Sequence, residues 1–120
     1  MLTINNKEVK FEKGVYSYFS CTCAKEDEEF WKKVLKLLNG VESVDNSSSL
    51  VYTLSHCFDA TVSNLWADMW MGFTVETPTE KLHITTDQLH YGLACATLIL
   101  IKMYPKILDE YDFSEELLSL

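Results

Sequence analysis

The stretch LACATLILI, residues 93–101, is apolar at every position except Thr97, and its reading decides the fold. It is far shorter than the ~20 residues that cross a bilayer. It reads as a buried helix and as the central core element, with Leu93, Leu100 and Ile101 inside. Just upstream, Thr85 and Gln88 have the spacing of a T-x-x-Q capping box, and Ile84 with Leu89 suits a hydrophobic staple. Downstream, Pro105 lacks a backbone donor and ends the helix near Tyr104. Ile107, Leu108 and Tyr111 imply a short resumption. The tail, 109–120, carries five acids and no Lys.

Outward from that helix, the signals alternate between strand and helix. Residues 73–76 and 81–84 flank Thr77-Pro78-Thr79-Glu80, where Pro78 favours a tight turn, so a short hairpin is expected. Leu54, Phe58, Val62, Leu65, Trp66, Met69 and Phe73 keep helical spacing and predict a helix from about 56 to 71, stopped by Gly72. Before it, 41–44 and 50–54 are read as a hairpin around a polar loop at 45–49. Phe30, Val34, Leu37, Leu38 and Val41 form one helical stripe. Glu26, Asp27, Glu28 and Glu29 precede Lys32, Lys33 and Lys36, an order that complements the helix dipole and allows Glu28–Lys32 and Glu29–Lys33 pairs. Asn39-Gly40 ends that helix. The first segment, 1–23, reads as a β-meander turning at Asn5-Asn6 and Lys13-Gly14, with Leu2, Val9, Phe11, Tyr16 and Tyr18 on one face. The fold expected is α+β: an N-terminal meander and short hairpins packed on three helices, in a single domain over 1–120.

The charge narrows the function. Eighteen acids stand against ten basic residues, a net charge of −8, and every basic residue is Lys. Arg is the preferred reader of phosphates and base edges. Its absence, with the acidic balance, argues against nucleic acid and against an anionic membrane surface. Residues 1–36 sum to +1 and residues 37–120 to −9. Such a field serves solubility, and it also attracts a basic protein. The start, MLTINNKEVK, lacks the apolar core of a signal peptide. Cys21, Cys23, Cys57 and Cys95 are therefore expected to be reduced thiols in a cytoplasmic setting.

Three catalytic constellations fail on spacing. Cys21, Cys23, His56, Cys57, His83, His90 and Cys95 include zinc-type ligands, but Cys21-x-Cys23 is too tight for a structural pair and the rest are scattered. No metal and no cofactor is expected. Cys57 adjoins His56, yet helix neighbours diverge by about 100°; pairing of Cys57 with His83 or His90 across elements stays open. On one helix Asp59 and Asp68 would point apart, and no glycine-rich phosphate loop or nucleophile elbow occurs. What remains is surface. In LWADMWMGF, residues 65–73, Trp66, Met69 and Phe73 fill a core stripe, Trp70 lies at its edge, and Met71 falls outside it. Exposed aromatic and Met residues beside acids have the composition of a protein-binding face.

The opening LTINNKEVKFEKG resembles the β-hairpin start of tail assembly chaperones of long-tailed phages, although the apolar last helix departs from the charged C-termini expected there. In size, acidity and lack of a catalytic motif, the chain is similar to immunity proteins that neutralise nuclease toxins. The leading expectation is a non-catalytic acidic inhibitor or immunity-type protein that occludes the cleft of a basic partner. A phage-type chaperone and a small thiol-dependent enzyme are the alternatives. The partner face is assigned to Asp68, Trp70, Met71, Glu76, Glu80, Asp109, Glu110 and Asp112.

Overall fold

Every residue from Tyr91 to Ile101 is buried within one helix, Leu89–Met103, and the other elements are arranged to cover it. A helix that is apolar all round must be covered all round. The computed structural model describes residues 2–4, 7–9, 19–23, 28–39, 46–63, 72–86, 88–111 and 113–120. In chain order the elements are β1 (Leu2–Ile4), β2 (Lys7–Val9), β3 (Phe19–Cys23), α1 (Glu28–Asn39), α2 (Asn46–Phe58), β4 (Thr61–Ser63), β5 (Phe73–Glu76), β6 (Lys81–Thr86), α3 (Leu89–Met103), α4 (Ile107–Glu110) and a final 3-10 turn (Glu115–Ser119). The fold is α+β, as the sequence implies.

A four-stranded sheet in the order β3-β6-β5-β4 forms one wall of the core. The expected hairpin is present: β5 and β6 pair antiparallel, with Phe73 opposite Ile84 and Val75 opposite Leu82. Leu82, Ile84 and Thr86 are buried, whereas Lys81, His83 and Thr85 alternate on the less buried face. The buried face meets α3 closely. A Cβ on Gly92 would stand 2.8 Å from Thr86 Cγ2 and 2.9 Å from Phe73 Cε1, so the missing side chain lets helix and sheet touch. Gly72 enters β5 at φ +71°, where a Cβ would lie 2.3 Å from the Ile84 carbonyl oxygen.

The N-terminal meander is corrected. β1 and β2 do form an antiparallel pair, Leu2 opposite Val9 and Ile4 opposite Lys7. β3 leaves that ribbon and runs parallel to β6, Phe19 beside Leu82 and Cys23 beside Thr86. The exchange pairs an edge of β6 that would otherwise stay open. The expected turns at Asn5-Asn6 and Lys13-Gly14, and Phe11, Tyr16 and Tyr18, lie outside the described residues.

The middle of the chain is also corrected. Residues 46–58 form α2, so 50–54 is helix rather than strand. Leu50 and Leu54 are fully buried and Val51, Cys57 and Phe58 partly so, a stripe at i, i+1, i+4, i+7 and i+8. The polar run Asn46–Ser49 opens the helix instead of looping; Ser and Asn are common where a helix begins. At the other end Asp59 adopts φ +52°, a left-handed conformation that Asp tolerates better than most residues. The Ala60 N–H then bonds back to the Leu54 carbonyl at 3.1 Å. The chain continues as β4, with Val62 opposite Val75. The expected helix over 56–71 therefore stops at Phe58, Asp59 lies beyond it, and residues 64–71 are outside the described set.

α1 occupies the expected span, but its buried centre is rotated. Trp31, Val34 and Leu35 are buried, while Phe30, Leu37 and Leu38 pack partly against the core. Trp31 meets Phe30 edge-on at 4.8 Å, and its buried indole N–H has no hydrogen-bond partner among the described residues. Lys32 reaches both Glu28, at 3.4 Å, and Glu29, at 3.8 Å, so Glu29 pairs at i, i+3 rather than with Lys33. Tyr91 donates to Glu28 Oε1 at 3.2 Å and ties the start of α3 to the start of α1.

The expected Thr85–Gln88 capping box gives way to a side-chain turn between Thr86 and Gln88. Thr85 belongs to β6, opposite Thr22. The hydroxyl of Thr86 accepts from the Gln88 N–H at 2.9 Å and donates to the Gln88 carbonyl at 2.6 Å. Gln88 is the N-cap residue and makes no side-chain cap. Thr97, wholly buried, donates to the Leu93 carbonyl at 2.7 Å, which satisfies the polar group inside the apolar run. At the C-terminal end Tyr104 caps α3, and Pro105 and Lys106 turn the chain into α4. The tail then folds back: Leu117 is fully buried, and Lys102 Nζ donates to the Leu120 carbonyl.

Two substitutions check this packing. Leu100→Ala at a fully buried position should cost roughly 2–5 kcal/mol, read as a lower urea midpoint. Gly92→Ala gains helix propensity of about 1 kcal/mol, but the new methyl must displace Thr86 and Phe73, an overpacking cost of about 1–3 kcal/mol. A lower midpoint is expected; a raised one would refute the close helix–sheet contact.

Candidate functional site

Three separate segments meet where α3 ends. The C-terminal end of α2 contributes Cys57 and Phe58. The β5–β6 turn contributes Thr77, Pro78 and Thr79, and the α3–α4 junction contributes Tyr104, Lys106, Ile107 and Glu110. They line a groove of about 300 Å³. Its position follows from local chain chemistry. Asp59 stops α2 beside it, Pro105 stops α3 beside it, and the turn at Pro78 stands between.

The turn is held by its own side chains. Thr77 N–H donates to the Glu80 carbonyl at 2.8 Å, and Thr77 Oγ1 accepts from the Glu80 N–H at 2.9 Å and the Thr79 N–H at 3.3 Å. The Tyr104 hydroxyl links this turn to the end of α3. It donates to Glu80 Oε1 at 3.1 Å and shares a hydrogen bond of 2.8 Å with Thr79 Oγ1. Tyr104 nevertheless stays 38% exposed.

An aromatic stack borders the groove. His56 lies parallel to Tyr52, with centroids 5.3 Å apart and planes at 10°. Tyr111 and the same imidazole form a T-shaped pair at 5.5 Å and 74°. Tyr52 is 66% exposed. Chain neighbours of this stack, Cys57 and Glu110, line the groove, so the stack lies next to the groove while its rings are not part of the lining.

The expected partner residues distribute unevenly. Glu110 lines the groove, and Glu80 touches its rim through Tyr104. Asp109 is exposed on α4 beside it, and Glu76 is exposed at the end of β5, opposite Lys81. Asp68, Trp70, Met71 and Asp112 lie outside the described residues. The expected face includes Trp70 and Met71 but not the exposed aromatics near this groove, Tyr52 and His56. Tyr52 and His56 are four apart, a visible pair only once 46–58 is known to be helix.

The cysteine–histidine pairings left open resolve by position. His90, at the start of α3, is about 20 Å along the helix from the groove end, at 1.5 Å per residue. His83 sits on the sheet face away from α3, its Nδ1 3.5 Å from Thr74 Oγ1. The His56 ring is engaged by two tyrosines. Burial pushes the Cys57 thiol up from its ordinary value, opposite to the shift of an activated thiolate. Among the described residues, Cys57 and Cys95 are thiols outside any disulfide, and no three potential ligands gather as for a metal ion. Among the described residues no helix is long and apolar enough to cross a membrane. Searched against family models, curated proteins and solved structures, the chain matches none.

Site-resolved alkylation tests this chemistry. Iodoacetamide on the folded protein, mapped by mass spectrometry, should leave the buried Cys95 unmodified. Cys57 should react more slowly than an unstructured thiol and show its half-maximal rate at a higher pH. Fast reaction of Cys57 at neutral pH would contradict its raised thiol.

Proposed function

We propose that the chain is a non-catalytic acidic binding protein, an inhibitor or immunity-type partner that neutralises a basic protein, such as a nuclease toxin, by occluding its active cleft. One observation carries the reading: exposed Tyr104 and Glu110 line a groove that Glu80 meets through Tyr104, and Tyr52 and His56 are exposed on the helix that carries its Cys57. Large aromatics beside carboxylates supply the two things such binding needs. Buried aromatic anchors give affinity, and a complementary field speeds encounter and rejects wrong partners. In occluding a nuclease, the carboxylates take the place of the phosphates that its basic cleft receives. The raised thiol of Cys57 and the separation of His83 and His90 from it support a binding role over thiol catalysis. In this reading the protein acts in the cytoplasm.

The groove floor favours a second reading. Phe58, Pro78 and Ile107 are apolar, which suits a tail-assembly-type chaperone that shields an apolar segment of a structural protein. Salt separates the two. Steering between exposed charges is screened beyond about 8–10 Å at ~0.1–0.15 M salt.

The test is to retain partners on immobilised protein, identify them, and follow association against ionic strength. A basic partner is expected, with an association rate that falls steeply as salt rises. Asp109→Lys with Glu110→Lys should slow association at low salt and leave the fold intact, because both side chains are exposed. An acidic or neutral partner, or binding indifferent to salt, would overturn the inhibitor reading in favour of the chaperone.

A further inference from the structure

The surface around the groove is specific enough to name the partner side chain it receives. Resting on the basic-partner reading above, we propose that an arginine of the partner docks at the Glu110 end of the groove, its guanidinium against the Tyr52–His56–Tyr111 stack. Three neighbouring features carry the proposal. The first is the stack itself. Two tyrosines and an imidazole are ordered against each other at 5.3 and 5.5 Å, and Tyr52 is left 66% exposed. Aromatic faces fixed at the surface are platforms for a planar cation. The second is the carboxylate. Glu110 lines the groove, adjoins Tyr111, and is engaged in no ion pair among the described residues. The third is the floor, where Phe58 and Ile107 offer apolar surface for the methylene stem of a long side chain.

Only one cationic side chain has all three complementary parts. A guanidinium is planar, stacks on aromatic rings, and presents a fork of donors to a carboxylate. A lysine ammonium is compact and strongly hydrated and neither stacks nor forks. The groove, at about 300 Å³, is at the small end of ligand pockets, which run to about 1,000 Å³; it has room for a side chain.

Lys106 gives the site a direction. It lines the same groove four residues before Glu110, one turn away along α4, and like Glu110 it has no ion pair among the described residues. A bound arginine is repelled from the Lys106 end and drawn to the Glu110 end. The Lys106 ammonium is then placed to take a carbonyl or carboxylate of the same partner segment.

The experiment titrates isotope-labelled protein with acetyl-leucyl-arginine amide and follows the backbone amides by NMR. The lysine and citrulline counterparts run in parallel; citrulline keeps the planar shape and loses the charge. The arginine peptide should shift the signals of Tyr52, His56, Cys57 and Glu110 and bind more tightly than either counterpart. Tyr52→Ala, at an exposed position that the fold does not need, should weaken it about two- to fivefold, the value of an exposed cation–aromatic contact. Glu110→Gln should weaken it and Lys106→Gln should strengthen it. No shifts at millimolar peptide, shifts confined to another surface, or equal binding of the lysine or citrulline peptide would each overturn the proposal. These failures are distinct from failure of the functional reading. A basic partner with steep salt dependence, but indifferent to Tyr52→Ala and Glu110→Gln, keeps the function and removes this site.

Discussion

The demand that α3 be covered on every side organises the rest of the molecule. A helix whose residues from Tyr91 to Ile101 are all buried has no solvent face to offer. The sheet covers one side, α1 and α2 others, and the final turn closes what they leave through Leu117. Each cover makes a local concession. Gly92 gives up its side chain so that α3 can touch Thr86 and Phe73. Thr97, fully buried, spends its hydroxyl on its own helix. These are ordinary consequences of interior packing at crystal-like density, where one extra methyl is felt.

The groove is a by-product of how that cover ends. α3 cannot pass Pro105, and α2 cannot pass the left-handed Asp59. Both stops fall at the same end of the core, beside the β5–β6 turn. Segments that end together without packing flush leave a cleft, and chain ends concentrate turn residues, exposed tyrosines and charges. The buried core thus ends at this surface and sets its position.

How much of this was legible in the sequence depended on whether the signal was local. The buried run, the stop at Pro105, the hairpin around Pro78 and the span of α1 each rest on residues adjacent in the chain. Their conformational preferences survive folding. The parallel pairing of β3 with β6 does not rest on such a signal, because β propensity identifies a strand and not its neighbour. The misplaced helix over 56–71 has a different cause. Leu54 and Phe58 do lie on one helical face, but a spacing of four is also a multiple of the strand period. Val62 and Phe73 continued the pattern while belonging to paired strands, and the break at Asp59 carries no strong mark. In α1 the stripe was found but not its centre, since Trp31 is one position off Phe30. The groove itself was out of reach: Phe58, Thr77–Thr79 and Tyr104–Glu110 are distant in sequence. Charge alone led to Glu80 and Glu110, and no charge pattern points to Tyr52 or His56.

The geometry at the groove also bears on why acidic charge and aromatic surface should stand together. A carboxylate alone attracts cations without choosing among them, and an exposed tyrosine alone attracts apolar surface without choosing its sign. Selectivity arises where the two are held in fixed relation, because a partner group must then satisfy both at once. The hydrogen bonds from Tyr104 to Thr79 and Glu80, and the ring contacts of His56, hold several of these groups before any partner arrives. Groups already ordered lose little freedom on binding, and less of the contact energy is consumed in fixing them. The apolar core therefore reaches function indirectly. By stopping α2 and α3 together it fixes the backbone that carries Tyr52, His56, Tyr104 and Glu110, and a small acidic domain gains a surface that is ordered as well as charged.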